Sequence, residues 1–200
     1  MSARKKQTVL RGVRIPKELN DVLQHDAKAE NRTVSALVVS ILAKYAEWDR
    51  FIQKFGFVSI PRVNYKHMID AMDEHAYMAA TEDTPSTFLE MVRFWHKRVD
   101  AETVCAFCET LSKYVGTTQC EIEQSGGKYA ITLQHDFGPK YSLHLKRDYE
   151  MGIRQALQIE PKIETTNHSV FIRFAEPWTE ISGSKKDKTE AHPALSPRPP

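Results

Sequence analysis

The chain has 200 residues, 41% hydrophobic and 27% charged, which suits one large globular domain or two small ones. Its longest uncharged apolar stretch, Ala36 to Ala43, contains Ser40 and falls far short of the ~20 residues that a membrane-spanning helix needs, so an integral membrane protein is not expected. A net charge of +2 conceals an asymmetry: residues 1–54 carry eleven Lys/Arg against six Asp/Glu, while the remainder is net negative. The basic N-terminus is followed by no apolar leader core, and three cysteines in a chain of this size need no oxidising compartment, so the expected location is the cytoplasm.

The first seventeen residues hold Arg4, Lys5, Lys6, Arg11, Arg14 and Lys17 and no acid, a pattern that fits a phosphate-contacting arm as well as a solvated tail. Residues 8–15, TVLRGVRI, favour a short strand that ends at Pro16, which cannot donate to a ladder but suits a helix start. From Lys17 to about Glu30, Leu19, Val22, Leu23 and Ala27 fall at helical spacing, and Asn31 suits the left-handed position that ends a helix. Thr33 is a candidate N-cap for a second helix, along which Val34, Leu37, Val38, Ile41, Leu42, Tyr45 and Trp48 form a stripe. One strand and two helices cannot close a core in some 45 residues, and no cysteine staples them, so this unit is expected to dimerise.

Residues 53–85 read as a linker with one helix, placed at 64–79 by Tyr65, Met68, Ile69, Met72, Ala76 and Ala79 and followed by the polar loop TEDTPS. Phe88, Leu89, Val92, Trp95 and Val99 then predict a helix, and Asp100 caps another that buries Ala101, Val104, Cys105, Cys108, Leu111 and Val115. TTQCEIEQ and KYAITLQH alternate around Ser125-Gly126-Gly127 as a hairpin, with Tyr129, Ile131, Leu133 and His135 inward. After Gly138-Pro139 a helix runs to about Gln158, and KIETTNHSVFIRF closes a second hairpin. The order ααββαββ over residues 86–176 makes a separate α+β domain, and the proline-rich, Lys/Asp/Ser-rich residues 177–200 read as a disordered tail.

The basic arm, short strand, Pro, helix, Asn-containing turn and Thr-capped helix of residues 1–52 resemble the ribbon-helix-helix family of transcriptional regulators. The resemblance implies an intertwined β-α-α dimer, or a tetramer built from it, that binds double-stranded DNA by laying an antiparallel β-ribbon in the major groove. Alternation back from Pro16 turns Val13 and Ile15 toward the helices and leaves Arg14, Gly12 and Leu10 on the base-contacting face, with Arg14 as the best reader of guanine. Gly12 and Leu10 stand where the family usually shows polar readers. Arg11 has inward parity, where it either snorkels to phosphate or is turned to the groove by a bulge at Gly12. The family's phosphate anchor at the start of its second helix maps to Thr33, Val34 and Ser35 beside Arg32, and Arg4, Lys5 and Lys6 add phosphate contacts.

Residues 55–175 are similar to the C-terminal part of archaeal ribbon-helix-helix regulators carrying His-Asp-(Leu/Phe)-Gly-x-x-(Trp/Tyr)-Ser, here His135-Asp136-Phe137-Gly138-Pro139-Lys140-Tyr141-Ser142. The segment is also similar to α+β ligand-binding domains related to the 4-vinyl reductase and haem nitric-oxide-associated groups. The resemblance implies a sensor or assembly domain open to a small-molecule effector. His135, Asp136, Gly138 and Tyr141 form a strand-to-helix corner that either cradles a ligand or shapes the turn, with Asp136 as a potential cap. Cys105-Ala106-Phe107-Cys108 has the C-x-x-C spacing of zinc and redox sites, but it lies on a buried stripe beyond a first helical turn and lacks a matching ligand pair, so no metal or cofactor is expected. No nucleophile elbow, phosphate loop or H-E-x-x-H points to an enzyme. Two other readings stay open: an antitoxin-like dimer that binds a protein, and a small-molecule or haem-binding sensor without sequence-specific DNA binding.

Overall fold

The computed structural model describes residues 8–175. The N-terminal part is helical. Lys17–Ala29 (α1) ends with Asn31 at φ 51°, and Thr33 Oγ1 accepts the Ala36 N–H at 3.1 Å to start Val34–Lys44 (α2), both as the sequence predicts. The helix does not stop at Lys44. It continues through a π-helical turn (Tyr45–Asp49), a short α-helical piece (α3, Arg50–Ile52) and a 3-10 turn (Gln53–Phe55), and ends at Gly56, whose φ of 66° favours glycine.

Residues 8–15, the expected strand, carry no regular secondary structure and are exposed. The ribbon-helix-helix arrangement is therefore not shown. Arg4, Lys5, Lys6 and the tail at 177–200 lie outside the described residues.

The helix expected at 64–79 is two helices, Arg62–Ala71 (α4) and Glu74–Ala80 (α5). Met72 is extended between them, and Asp73 caps α5 by accepting the Ala76 N–H at 2.8 Å, a local bond that competes with helix continuation. Nor is the segment 53–85 merely a linker, because Ile69 and Tyr77 belong to the main hydrophobic core. The expected loop TEDTPS is brief, since Thr84 begins α6 (Thr84–His96) with Pro85 in its first turn. Asp100 and Thr103 form a capping box at the start of α7 (Ala101–Val115). Val115, expected inward, is exposed at the end of α7.

Four antiparallel strands follow: Gln119–Ser125 (β1), Lys128–Gln134 (β2), Lys162–Thr165 (β3) and Ser169–Ala175 (β4), in the order β1-β2-β4-β3. The long helix α8 (Pro139–Leu157) joins the two hairpins. Gly126 and Gly127 both have positive φ and make the tight turn of the first. The register aligns Ile122, Ile131, Ile172 and Ile163 across all four strands, and one sheet face thereby joins Tyr129, Leu133, Val170 and Phe174 in the core with α6, α7 and α8. From α6 onward the order is ααββαββ, and the fold is α+β. Among the described residues no helix is long and apolar enough to cross a membrane.

Two cations on α8 dock the shorter helices. Lys140 Nζ donates to the carbonyls of Ile69 (2.6 Å), Met72 (2.5 Å) and Asp70 (3.1 Å) where α4 ends. Seven residues on, Arg147 donates to the Met78 carbonyl (2.7 Å) and to both oxygens of Thr81 where α5 ends. Each supplies charge and donors to carbonyls that have no partner within their own helix.

Candidate functional site

Two regions bear the residues singled out in the sequence. In the first, Leu10, Arg11, Gly12 and Arg14 are all exposed, Leu10 at 98%. Arg32 Nε pairs with Glu30 Oε2 at 2.7 Å, at the end of α1, and Thr33, Val34 and Ser35 follow it in sequence at the start of α2. The apolar stripe of α2 is only partly covered: Leu37 and Trp48 are buried, whereas Ile41, Leu42 and Tyr45 remain exposed.

The second region is a polar cleft of about 690 Å³, where the end of α7, the start of β1, the end of β2 and the start of α4 converge. His135 and Asp136 line it, together with Arg62, Ser112, Gly116, Thr118, Gln119, Cys120 and Gln134. Gly138 and Tyr141 are not in its lining. Gly138, at φ 83°, begins α8, and buried Tyr141 packs behind the corner, with ring centroids 5.0 Å from His135 and 4.9 Å from Phe137. Asp136 does not cap α8. Its carboxylate pairs with Arg62 Nη2 instead, and that guanidinium holds its pKa below the usual carboxylate range. Arg62 also donates through Nη1 to the Gly116 carbonyl (2.5 Å) and lies 4.5 Å over the Phe137 ring, while Lys66 Nζ donates to the Asp136 carbonyl at 2.7 Å.

The neighbours of His135 assign its tautomer. The Phe137 N–H donates to Nδ1 at 3.3 Å, so Nε2 carries the proton and donates to Ser142 Oγ at 2.9 Å. Burial, with His168 nearby, pushes the imidazole down to about 4, so it is neutral near pH 7. Cys120 is pushed up to about 11 by burial, with Glu109 and Glu121 acting in the same direction, which leaves a protonated thiol at the cleft. The arrangement offers a ligand neutral hydrogen-bonding groups around one latched ion pair.

A buried polar network that the sequence did not reveal lies on α8. Arg147 Nη2 donates to His144 Nδ1 at 3.2 Å, and His144 Nε2 lies 3.2 Å from Asp148 Oδ2. Burial pushes His144 down to about 4 and Asp148 up to about 7, the latter against the pull of Arg147 at 3.0 Å. The edge contact of the Tyr77 ring with His144 closes this network beneath α5. Of the C-x-x-C pair, Cys105 and Cys108 are both buried, and burial raises the Cys108 thiol well above its ordinary value. Among the described residues no group of three or more His, Cys, Asp or Glu side chains is placed to hold a metal ion.

Arg62 and Lys66 escape a reading of the sequence because their partner Asp136 lies 74 and 70 residues away, and no local pattern links them. The fold defines the chain as an α+β protein with a helical N-terminal segment. No family model matches it, and no curated protein or solved structure is significantly similar.

Proposed function

We propose that the protein is a dimeric, sequence-specific DNA-binding regulator of transcription that acts in the cytoplasm, with residues 8–48 forming its dimerisation and DNA-facing unit. The observation that carries this reading is the apolar surface left uncovered over residues 9–45. Val13, Ile15, Leu19, Val22, Ile41 and Leu42 are all exposed, although the helices carry the stripes of packed elements. A second copy of the same unit would cover these residues and supply the strand partner that residues 8–15 lack, as expected of so short a segment. The basic side chains Arg11 and Arg14 are exposed beside this surface, and the first-turn amides of Val34 and Ser35 lie at the positive end of α2. The polar cleft of the α+β part supports a role for that part in sensing a small molecule.

The test is parallel selection of bound genomic DNA fragments by the wild type and by Arg14→Ala at one fixed salt concentration. Recovery of a short repeated or palindromic motif by the wild type, with relaxed base preference in the variant, is the expected result, since a bidentate Arg–guanine pair is worth ~1–3 kcal/mol of discrimination. An unchanged motif and affinity in Arg14→Ala would refute the ribbon assignment. No recovery by either protein would refute DNA binding and favour a protein partner.

A further inference from the structure

The last turn of α7 is gripped from two sides. On one side Lys113 Nζ (2.8 Å) and Tyr114 Oη (2.6 Å) both bind Glu47 Oε2, and the buried Trp48 ring stacks on Tyr114 with centroids 5.9 Å apart. On the other side Arg62 holds the Gly116 carbonyl, and Ser112 Oγ donates to the Thr118 carbonyl at 2.7 Å. Ser112 and Gly116 line the polar cleft, whereas Lys113 and Tyr114 reach the π-helical turn that continues α2.

Glu47 sits in the π-helical turn Tyr45–Asp49. Its carbonyl accepts the Trp95 indole N–H at 2.9 Å, and the carbonyl of Ala46 accepts from Arg50 Nε at 2.8 Å, so side chains serve backbone acceptors in this turn. Beyond it, Phe51 and Phe55 pack on Phe94 and Trp95 of α6. A π-turn accommodates one residue more than an α-turn, and one residue is about 100° of rotation about the helix axis. Relaxation to a regular α-helix would therefore turn Phe51 and Phe55 away from α6 or rotate α2 by that angle. The two registers are discrete, as a switching element requires.

We propose that the π-turn at residues 45–49 is a register switch, held by the last turn of α7, through which the state of the Arg62 latch in the cleft sets the orientation of α2. Opening the latch frees the Gly116 end of α7, loosens Lys113 and Tyr114 on Glu47, and lets the turn relax. The effect on DNA binding rests on the reading of residues 8–48 as the DNA-facing unit; the switch itself does not.

The test uses the full chain in a Trp178→Phe background, so that Trp48 and Trp95 report on the clamp, with hydrogen exchange of residues 34–55 as a second readout. Arg62→Gln is expected to shift tryptophan emission, speed exchange over 45–52 and weaken DNA binding roughly tenfold, within the usual range of allosteric coupling. Glu47→Gln is expected to reproduce these changes, and adding Arg62→Gln to it to produce little more, because both act through one turn. Ile163→Ala, on the edge strand β3 and away from α4 and the π-turn, controls for general destabilisation and is expected to leave the emission unchanged. An unaltered emission and exchange pattern in Arg62→Gln, fully independent effects in the double variant, or an equal shift in the Ile163 control would overturn the switch. Absence of DNA binding by the wild type would instead defeat the DNA reading, with emission and exchange still deciding the switch.

Discussion

Lowering the pH from 7.5 to 5 tests whether His135 is held neutral at the corner between β2 and α8. The imidazole has an ordinary value of 6.5 and is pushed down to about 4 in the folded chain, where the residue is only 9% exposed. Between these values the unfolded chain binds a proton that the folded chain refuses, so the contribution is intact above 6.5 and is lost as the pH falls toward 4. At pH 5 the loss works out at about 2 kcal/mol. His144, also pushed down to about 4, loses a similar amount, but Asp148, pushed up to about 7, gains stability over the same interval and offsets it. The difference between the wild type and His135→Gln isolates the corner. Glutamine can still donate to Ser142 and accept from Phe137, yet it does not titrate. Urea unfolding followed by tryptophan emission should show the wild type losing about 2 kcal/mol more than the variant between the two pH values. Losses that agree within about 0.5 kcal/mol would refute the buried, neutral assignment.

Two further substitutions probe the packing that positions the cleft. Lys140→Met keeps the aliphatic stem but removes the donor shared by three carbonyls at the end of α4, and should cost roughly 1–3 kcal/mol with faster exchange over residues 62–71; an unchanged urea midpoint would argue against the clamp. Gly152→Ala would place a methyl group 2.9 Å from Phe88 Cδ1 where α6 crosses α8, so overpacking of ~1–3 kcal/mol should outweigh a helix-propensity gain of ~1 kcal/mol. Adding Phe88→Leu should cost less than the sum of the single changes, and a stabilised Gly152→Ala would contradict the close approach.

Where the determinants are local, the chain order could be read directly. Thr33 and Asp100 cap the helices expected of them, Asn31 takes the left-handed conformation, and the Gly126-Gly127 turn sets the register that turns Tyr129, Ile131, Leu133 and His135 inward. The expected helix at 64–79 failed because an unbroken apolar spacing hid a cap at Asp73, and the linker reading failed because periodicity does not show which face finds a core. A strand at residues 8–15 was expected from alternation and propensity, but a strand exists only when paired, and within this chain it has no mate.

From the sequence alone came the helix caps, the hairpins, the α+β order and the charge asymmetry, because each depends on residues within a few positions of one another. Only the tertiary structure drew Arg62 to Asp136 across 74 residues, set Lys113 against Glu47 across 66, and inserted a π-turn where the helical stripe meets Trp95. Those pairings depend on how packed elements meet in space, and the spacing of residues along the chain does not encode that meeting.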